Sequence, residues 1–156
     1  MNSIITRKAS PDDAAAISKV LLDSFSQFRH FYTDKAFAAT TISVDEVIKR
    51  MQEGYVWVAL KDNIIVGTVA VVKKEEGLYI RGMAVLPGAR GSKIGWKLLE
   101  QIQQYAIENN FKNLSLSTTP YLTSAIHLYK KFSFKQIGEM DDSFFGTMIF
   151  QMKKIL

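Results

Sequence analysis

The stretch from Leu78 to Leu99, LYIRGMAVLPGARGSKIGWKLL, holds the residues whose types and spacing point most directly to chemistry. An apolar run that reads as a strand delivers Arg90-Gly91-Ser92-Lys93-Ile94-Gly95 to the start of an amphipathic helix. The first N–H groups of a helix have no intrahelical partner, the helix dipole adds positive potential there, and glycine lets a phosphate oxygen approach the backbone. The expected chemistry is anion binding. Gly91-Ser92-Lys93 superficially resembles part of a P-loop, but the Gly-x-x-x-x-Gly-Lys-Ser/Thr spacing is missing, which argues against a phosphotransferase. The chain has no cysteine, so disulfides, thiolate metal sites and a cysteine nucleophile are excluded. No serine-histidine pairing is visible in the sequence, and no metal is expected.

The formal charge of +5 raises the question of a nucleic-acid partner. The basic pairs Lys73-Lys74, Lys130-Lys131 and Lys153-Lys154 are scattered rather than clustered, which reads as a solvated surface and predicts no nucleic-acid face. A small polyanionic ligand suits the same charge balance. Arg7, Lys8, Asp12 and Asp13 interrupt the region where a signal peptide needs an apolar run, and no apolar run is long enough to span a bilayer. A soluble, cytoplasmic protein with no membrane partner is expected, built as one domain over residues 1–156.

The elements that position the loop follow from pattern. Ile4 to Arg7 reads as an edge strand, and Ser10-Pro11-Asp12-Asp13 combines an N-cap serine, a first-turn proline and a capping acid. Ala14, Ile17, Leu21, Phe25 and Phe28 then recur at helical spacing, so the helix is expected to end near Phe28. Gln27 to Thr41 is aromatic and irregular, and reads as packing under a loop, with a substrate wall as the second reading. Arg29 and His30 within it read as solvated. A second helix opens at Ser43 and stops at Gly54. Tyr55 to Leu60, Ile64 to Val72 and Leu78 to Leu86 form an antiparallel meander, in which Gly82 marks a bulge or a close backbone approach. A helix from Gly95 to Asn109 and a strand from Asn113 to Thr118 complete a right-handed crossover, making two parallel neighbours. A helix from Leu122 to Phe132 follows, with Ala125, Leu128, Tyr129 and Phe132 on one face. Phe134 to Glu139 and Thr147 to Met152 close the chain as an antiparallel pair, split by the polar turn Asp141-Asp142-Ser143.

This element order, together with VLPGARGSKIG, resembles the GCN5-related N-acetyltransferase (GNAT) superfamily over essentially the whole chain. Arg90 to Gly95 corresponds to the family's acyl-CoA loop Arg/Gln-x-x-Gly-x-Gly/Ala. Ala125-Ile126-His127-Leu128-Tyr129-Lys130-Lys131-Phe132-Ser133-Phe134 is similar to its Ala-x-x-Leu-Tyr-x-x-x-Gly-Phe. Three departures stand out. Lys93 occupies the place of the first loop glycine, Ser133 replaces the glycine before Phe134, and Leu122 and Thr123 lie where an asparagine often contacts the cofactor.

The resemblance implies an α/β (α+β) fold: a mixed sheet of about seven strands, mostly antiparallel with a central splayed parallel pair, flanked by about four helices. It implies acetyl-CoA as co-substrate, its pyrophosphate on Arg90, Gly91, Ser92, Lys93, Ile94 and Gly95 and its pantetheine arm paired like a strand with Met83, Ala84 and Val85. Tyr129 is implied as general acid to the departing thiolate. A general base is less evident: Tyr79 stands near the family's glutamate position, with Glu75, Glu76 or a water chain as alternatives. The implied activity is direct acetyl transfer to a primary amine, small-molecule or peptide, in a ternary complex. The alternative is a catalytically weak CoA-binding or sensing module. The acceptor is expected to enter between the Phe25–Thr41 segment and the Asp141–Gly146 turn, and a homodimer through exposed C-terminal strands is compatible with the pattern.

Overall fold

In the computed structural model, which describes residues 3–156, the β-branched and aromatic runs form seven strands of one sheet. They are β1 (Ile4–Lys8), β2 (Tyr55–Lys61), β3 (Ile64–Lys74), β4 (Gly77–Val85), β5 (Asn113–Thr118), β6 (Lys135–Phe144) and β7 (Thr147–Ile155). Their order across the sheet is β1-β2-β3-β4-β5-β7-β6. β4 and β5 are the parallel pair and every other pairing is antiparallel. Five α-helices cover the faces, one more than the pattern predicts: α1 (Ala14–Phe25), α2 (Asp34–Thr40), α3 (Val44–Glu53), α4 (Ile94–Glu108) and α5 (Thr123–Lys131).

Strand alternation sorts the core into two layers. Trp57 and Ala59 on β2, with Leu78 and Ile80 on β4, pack against Leu98, Leu99 and Ile102 of α4 and Tyr129 of α5. Val56 and Val58, one residue out of phase, pack on the other face against Ala14, Ile17 and Leu21 of α1 and Val47 of α3. α3 starts as expected: the Ser43 hydroxyl accepts from the Glu46 N–H at 3.3 Å while the Glu46 carboxylate accepts from the Ser43 N–H at 3.2 Å.

The departures from pattern lie where chain-distant contacts override local signals. α1 ends at Phe25, not near Phe28, and passes into a 3-10 turn over Ser26–Phe31. The supposedly irregular segment after it contains α2, capped by Thr33, whose hydroxyl accepts from the Ala36 N–H. Thr33 also ties this region to the far end of the chain, its hydroxyl donating to the Phe145 carbonyl at 2.8 Å and its N–H to the Thr147 hydroxyl at 3.0 Å. Arg29, read as solvated, pairs with Asp34. The turn between the last strands sits at Phe145 and Gly146, both at positive φ, so Asp141, Asp142 and Ser143 belong to β6. β7 lies inside the sheet between β5 and β6, which leaves β6 as the free C-terminal edge.

Two features of β4 shape the site. Its pairing with β5 stops after Leu78–Ile80 against Leu114–Leu116, so from Arg81 and Ser117 onward the parallel strands part. Within the antiparallel ladder to β3, Thr68 pairs with Ala84 and Ala70 with Arg81, so Gly82 and Met83 together face the single residue Val69. This is a bulge, with Gly82 at φ +62°. The extra residue shifts strand parity. Arg81 and Tyr79 lie on the α3 side, and after the bulge it is Ala84 that joins that layer while Met83 and Val85 turn to the α4–α5 layer.

Candidate active site

The parting of β4 from β5 opens two cavities that share four wall residues, Phe25, Met83, Leu122 and Tyr129. The larger, about 690 Å³, lies on the side of the loop and the α4 and α5 N-termini. Of the nine residues expected to bind cofactor, Met83, Ala84, Val85, Arg90, Gly91, Lys93, Ile94 and Gly95 line it. Ser92 does not; its hydroxyl accepts from Lys61 Nζ at 3.4 Å. Leu122 and Thr123, at the departed asparagine position, are also in the wall.

α4 begins at Ile94, earlier than the pattern suggests, with Lys93 as its N-cap residue at φ 61° and ψ 23°. This left-handed conformation is the one glycine adopts freely. Ser133 is left-handed as well, at φ 74°. Both residues that stand at the glycine positions of the resemblance therefore hold a left-handed backbone under a side chain. Gly95 serves closeness instead: a Cβ there would lie 2.7 Å from Leu128 Cδ2 and 3.3 Å from Met83 Cε, so its absence lets α4, α5 and β4 converge.

Arg90 reaches back to α1, donating to the Ser24 carbonyl at 3.4 Å and lying over the Phe28 ring. With its amide oxygen turned inward, Gln27 accepts from the same guanidinium. Ser24 is buried in the cavity wall and its hydroxyl has no hydrogen-bond partner. Sequence reasoning missed Ser24 and Lys131, which come to this cavity from helices read for their packing faces. The cation content (Arg90, Lys93, Lys131), the free helix N–H groups and the orphaned Ser24 hydroxyl fit a long, polyanionic ligand such as a coenzyme A ester.

The smaller cavity, about 260 Å³, lies between the sheet, the Phe25–Thr40 segment and β6–β7. Tyr32, Ala39 and Thr40 enter it from one side and Phe144 and Ile149 from the other, which is the region expected to admit the acceptor. Tyr79 lines it too, together with Arg50, Arg81, Ser117, Thr118 and Thr119. Its walls contain no carboxylate and no imidazole. Glu75 and Glu76 are exposed in the β3–β4 turn, at the opposite end of the nine-residue β4 from the loop, so neither faces the cavity. His127 is exposed on α5.

Tyr129 is 7% exposed and belongs at once to the core stripe of α5 and to both cavity walls. Burial, and secondarily the Tyr32 phenol, push its hydroxyl well above the usual tyrosine range. It therefore keeps its proton throughout the neutral range and presents an O–H donor at the junction. Burial also raises Tyr32, partly offset by the Thr119 hydroxyl beside it.

Comparison with known proteins agrees with this architecture. The chain is 27% identical over 113 residues to an N-acetylaspartate synthetase of Danio rerio, covering 71% of this chain and 40% of that protein. It is 37% identical over 83 residues to an IAA acetyltransferase of Azospirillum brasilense, covering 52% and 54%. The chain thus spans about half the length, or less, of these curated relatives. In three dimensions it matches a PaiA N-acetyltransferase of Thermoplasma acidophilum, solved in complex with coenzyme A, with a TM-score of 0.81, 18% identity and 99% of each chain covered. No helix among the described residues is long and apolar enough to cross a membrane. Residues 17–134 match the Acetyltransferase (GNAT) family, and with the splayed β4–β5 pair and the loop that caps α4, this chain belongs to that family.

Proposed function

We propose that the protein is an acetyl-CoA-dependent N-acetyltransferase acting on a small primary amine. The observation that carries this reading is the pair of cavities joined at Tyr129 and Met83, one cationic and built for a long ligand, the other small and closed by the acceptor-side segments. Coenzyme A in the complex with the Thermoplasma protein supports the choice of donor. In the larger cavity Gly91, Lys93, Ile94 and Gly95 hold the pyrophosphate at the α4 N-terminus, and Met83 to Val85, past the last β4–β5 pair, offer unpaired backbone to the pantetheine arm. The donor supplies a thioester, whose acetyl carbon the amine attacks directly, forming N–C as C–S breaks.

The chain's own groups then have distinct tasks. A backbone N–H of the bulged segment polarises the carbonyl oxygen. Tyr129 O–H donates to the sulfur as it leaves. A phenol is already a weaker acid than a thiol and burial weakens this one further, so its role is a persistent hydrogen bond to developing thiolate, with the last proton arriving from solvent. On the acceptor side the nearby guanidiniums disfavour an ammonium, so the amine is held in its neutral, nucleophilic form. Tyr79 passes the proton outward to water.

Calorimetric titration with acetyl-CoA, paired with a thiol-release assay over an amine panel, tests the reading. Binding with amine-dependent release supports it. Tight binding without release for any amine assigns a sensing module, and absence of binding removes the donor itself.

A further inference from the structure

The acceptor cavity holds two arginines and no acid. Arg50, from the last turn of α3, is half-buried, and its Nη1 packs directly over Gly82 in the β4 bulge, where any Cβ would collide with it. Among the described residues its guanidinium makes neither a hydrogen bond nor an ion pair, although five N–H donors are available. Burial, and next the like charge of Arg81, draw Arg50 down to about 10, against the pull of Glu53, Glu46 and Tyr79, so it is charged at neutral pH.

Arg81 is only partly satisfied. One Nη donates to Glu53 at 3.3 Å, while its Nε is buried with no partner. Beside the two guanidiniums, the hydroxyl-bearing residues Tyr79, Ser117, Thr118 and Thr119 line the same space, and the buried Thr119 Oγ1 makes no hydrogen bond of good geometry. Guanidinium donors withdrawn from water without a partner, those of Arg50 and the Arg81 Nε, are completed by an anion in the cavity. Arginine's planar fork matches a carboxylate with two parallel hydrogen bonds. At about 260 Å³ the cavity suits a small molecule.

We propose that Arg50 and Arg81 form the anion-recognition half of the acceptor site, so that the amine acetylated is one that also carries a carboxylate, an amino acid or close analogue. This rests on the acetyltransferase reading and specifies its substrate class. The carboxylate sits on the guanidiniums and the amine points to the junction of Met83 and Tyr129. The same charges repel polyamines and other cationic acceptors.

The test compares matched pairs that differ only in the carboxylate: amino acids against their decarboxylated amines, such as serine against ethanolamine and tyrosine against tyramine, with phosphoethanolamine and spermidine added. Thiol release from acetyl-CoA gives kcat/KM. Calorimetric binding to the CoA-loaded protein reads the site without turnover. At least one amino acid is expected to exceed its decarboxylated partner by ten-fold or more in kcat/KM or affinity. Arg50→Gln and Arg81→Gln are expected to erase that ratio through acceptor KM, Arg50→Lys to retain part of it, and acetyl-CoA affinity to stay within two-fold, which also certifies folding.

Preference for the decarboxylated amines or for spermidine overturns the proposal while leaving the acetyltransferase reading intact. So does a carboxylate preference that survives both glutamine variants, or the absence of amino-acid binding to a protein that still binds CoA. Preference for phosphoethanolamine over every amino acid replaces the carboxylate with a phosphate and overturns the assigned class. Loss of acetyl-CoA binding in the unaltered protein instead removes the reading on which the proposal stands.

Discussion

The two cavities that meet at Tyr129 are built by different means. The larger takes part of its wall from backbone features: a loop in left-handed and extended conformations, the start of α4, and a bulged strand. The smaller is shaped by side chains from α3, β4, β5 and the segment after α1, and its polarity comes from two arginines and a set of hydroxyls. A backbone site tolerates changes of residue type so long as φ and ψ are kept, and Lys93 holds the left-handed conformation there under a side chain. A side-chain site changes its ligand with single substitutions. On the proposed reading, donor binding then depends mainly on backbone conformation and acceptor choice on a few side chains.

The residue common to both halves gives the largest expected effect. Tyr129→Phe keeps the ring that packs edge-on against Phe134 at 5.9 Å and removes only the O–H. Turnover is expected to fall about 100-fold, with the KM for acetyl-CoA and for the amine each within two- to three-fold, as for loss of an interaction made in the transition state. Steady-state kinetics checks this, and an unchanged kcat with an intact fold makes Tyr129 a packing residue. Gly82→Ala comes next and acts on the acceptor half through Arg50. The new methyl meets Arg50 Nη1 and forces a side chain into φ +62°. About 1–2 kcal/mol of stability should be lost, and acceptor KM should rise about ten-fold through displaced Arg50, with acetyl-CoA affinity unchanged. An equal loss of acetyl-CoA affinity would break the separation of the halves.

The same contrast explains what was legible in the sequence. Arg90 to Gly95, the bulge at Gly82 and the parallel pair are local or nearly local signals: glycine positions, strand alternation and one crossover length. The parallel pair is present, Gly82 lies in a bulge, one of the two readings its position offered, and Arg90 to Gly95 leads into the start of α4. Arg50 gave no signal because it sits at the end of a surface helix among Lys49, Met51 and Gln52, where a charged residue is ordinary. Only the bulge and the register of β4 bring Gly82 under it. Ser24 was hidden in the same way, as a polar residue on a helix read for its apolar stripe. The turn near the C-terminus was misplaced because Asp141-Asp142-Ser143 has turn composition, whereas the chain reverses at Phe145-Gly146, which Thr33 holds from more than a hundred residues away.

On the donor half the expected effect is smaller and opposite in sign. Lys93→Gly relieves a left-handed side-chain residue at the N-cap of α4 and should raise stability by about 1 kcal/mol, less the entropy glycine returns to the unfolded chain. If the Lys93 ammonium also faces the pyrophosphate, acetyl-CoA affinity drops a few-fold in the same variant while acceptor KM stays fixed. Thermal denaturation and acetyl-CoA titration read the two consequences separately. A destabilised Lys93→Gly protein would mean that the lysine side chain, rather than the backbone, holds the loop.

The smallest effect concerns neither cavity and serves as their control. Asp13, at the entry to α1, accepts from both Nη groups of Arg7 at 2.7 and 3.0 Å and from the Ser10 N–H at 2.8 Å. The Arg7 hydrogen bonds, opposed by burial and aided by Ser10, hold its carboxyl down to about 2. Its folded value lies below the unfolded one of about 3.9, so the unfolded chain binds the proton more readily in that interval. The stabilisation is fully present above pH 4 and is lost as pH falls from 4 towards 2. Arg7 is well exposed, and solvent screening keeps the contribution to no more than about 1 kcal/mol. Asp13→Asn should flatten the stability profile between pH 4 and 2 while both substrates' KM values at neutral pH remain unchanged. Movement of either KM would show that the α1 entry is coupled to Phe25 at its far end, and through it to the wall that the two cavities share.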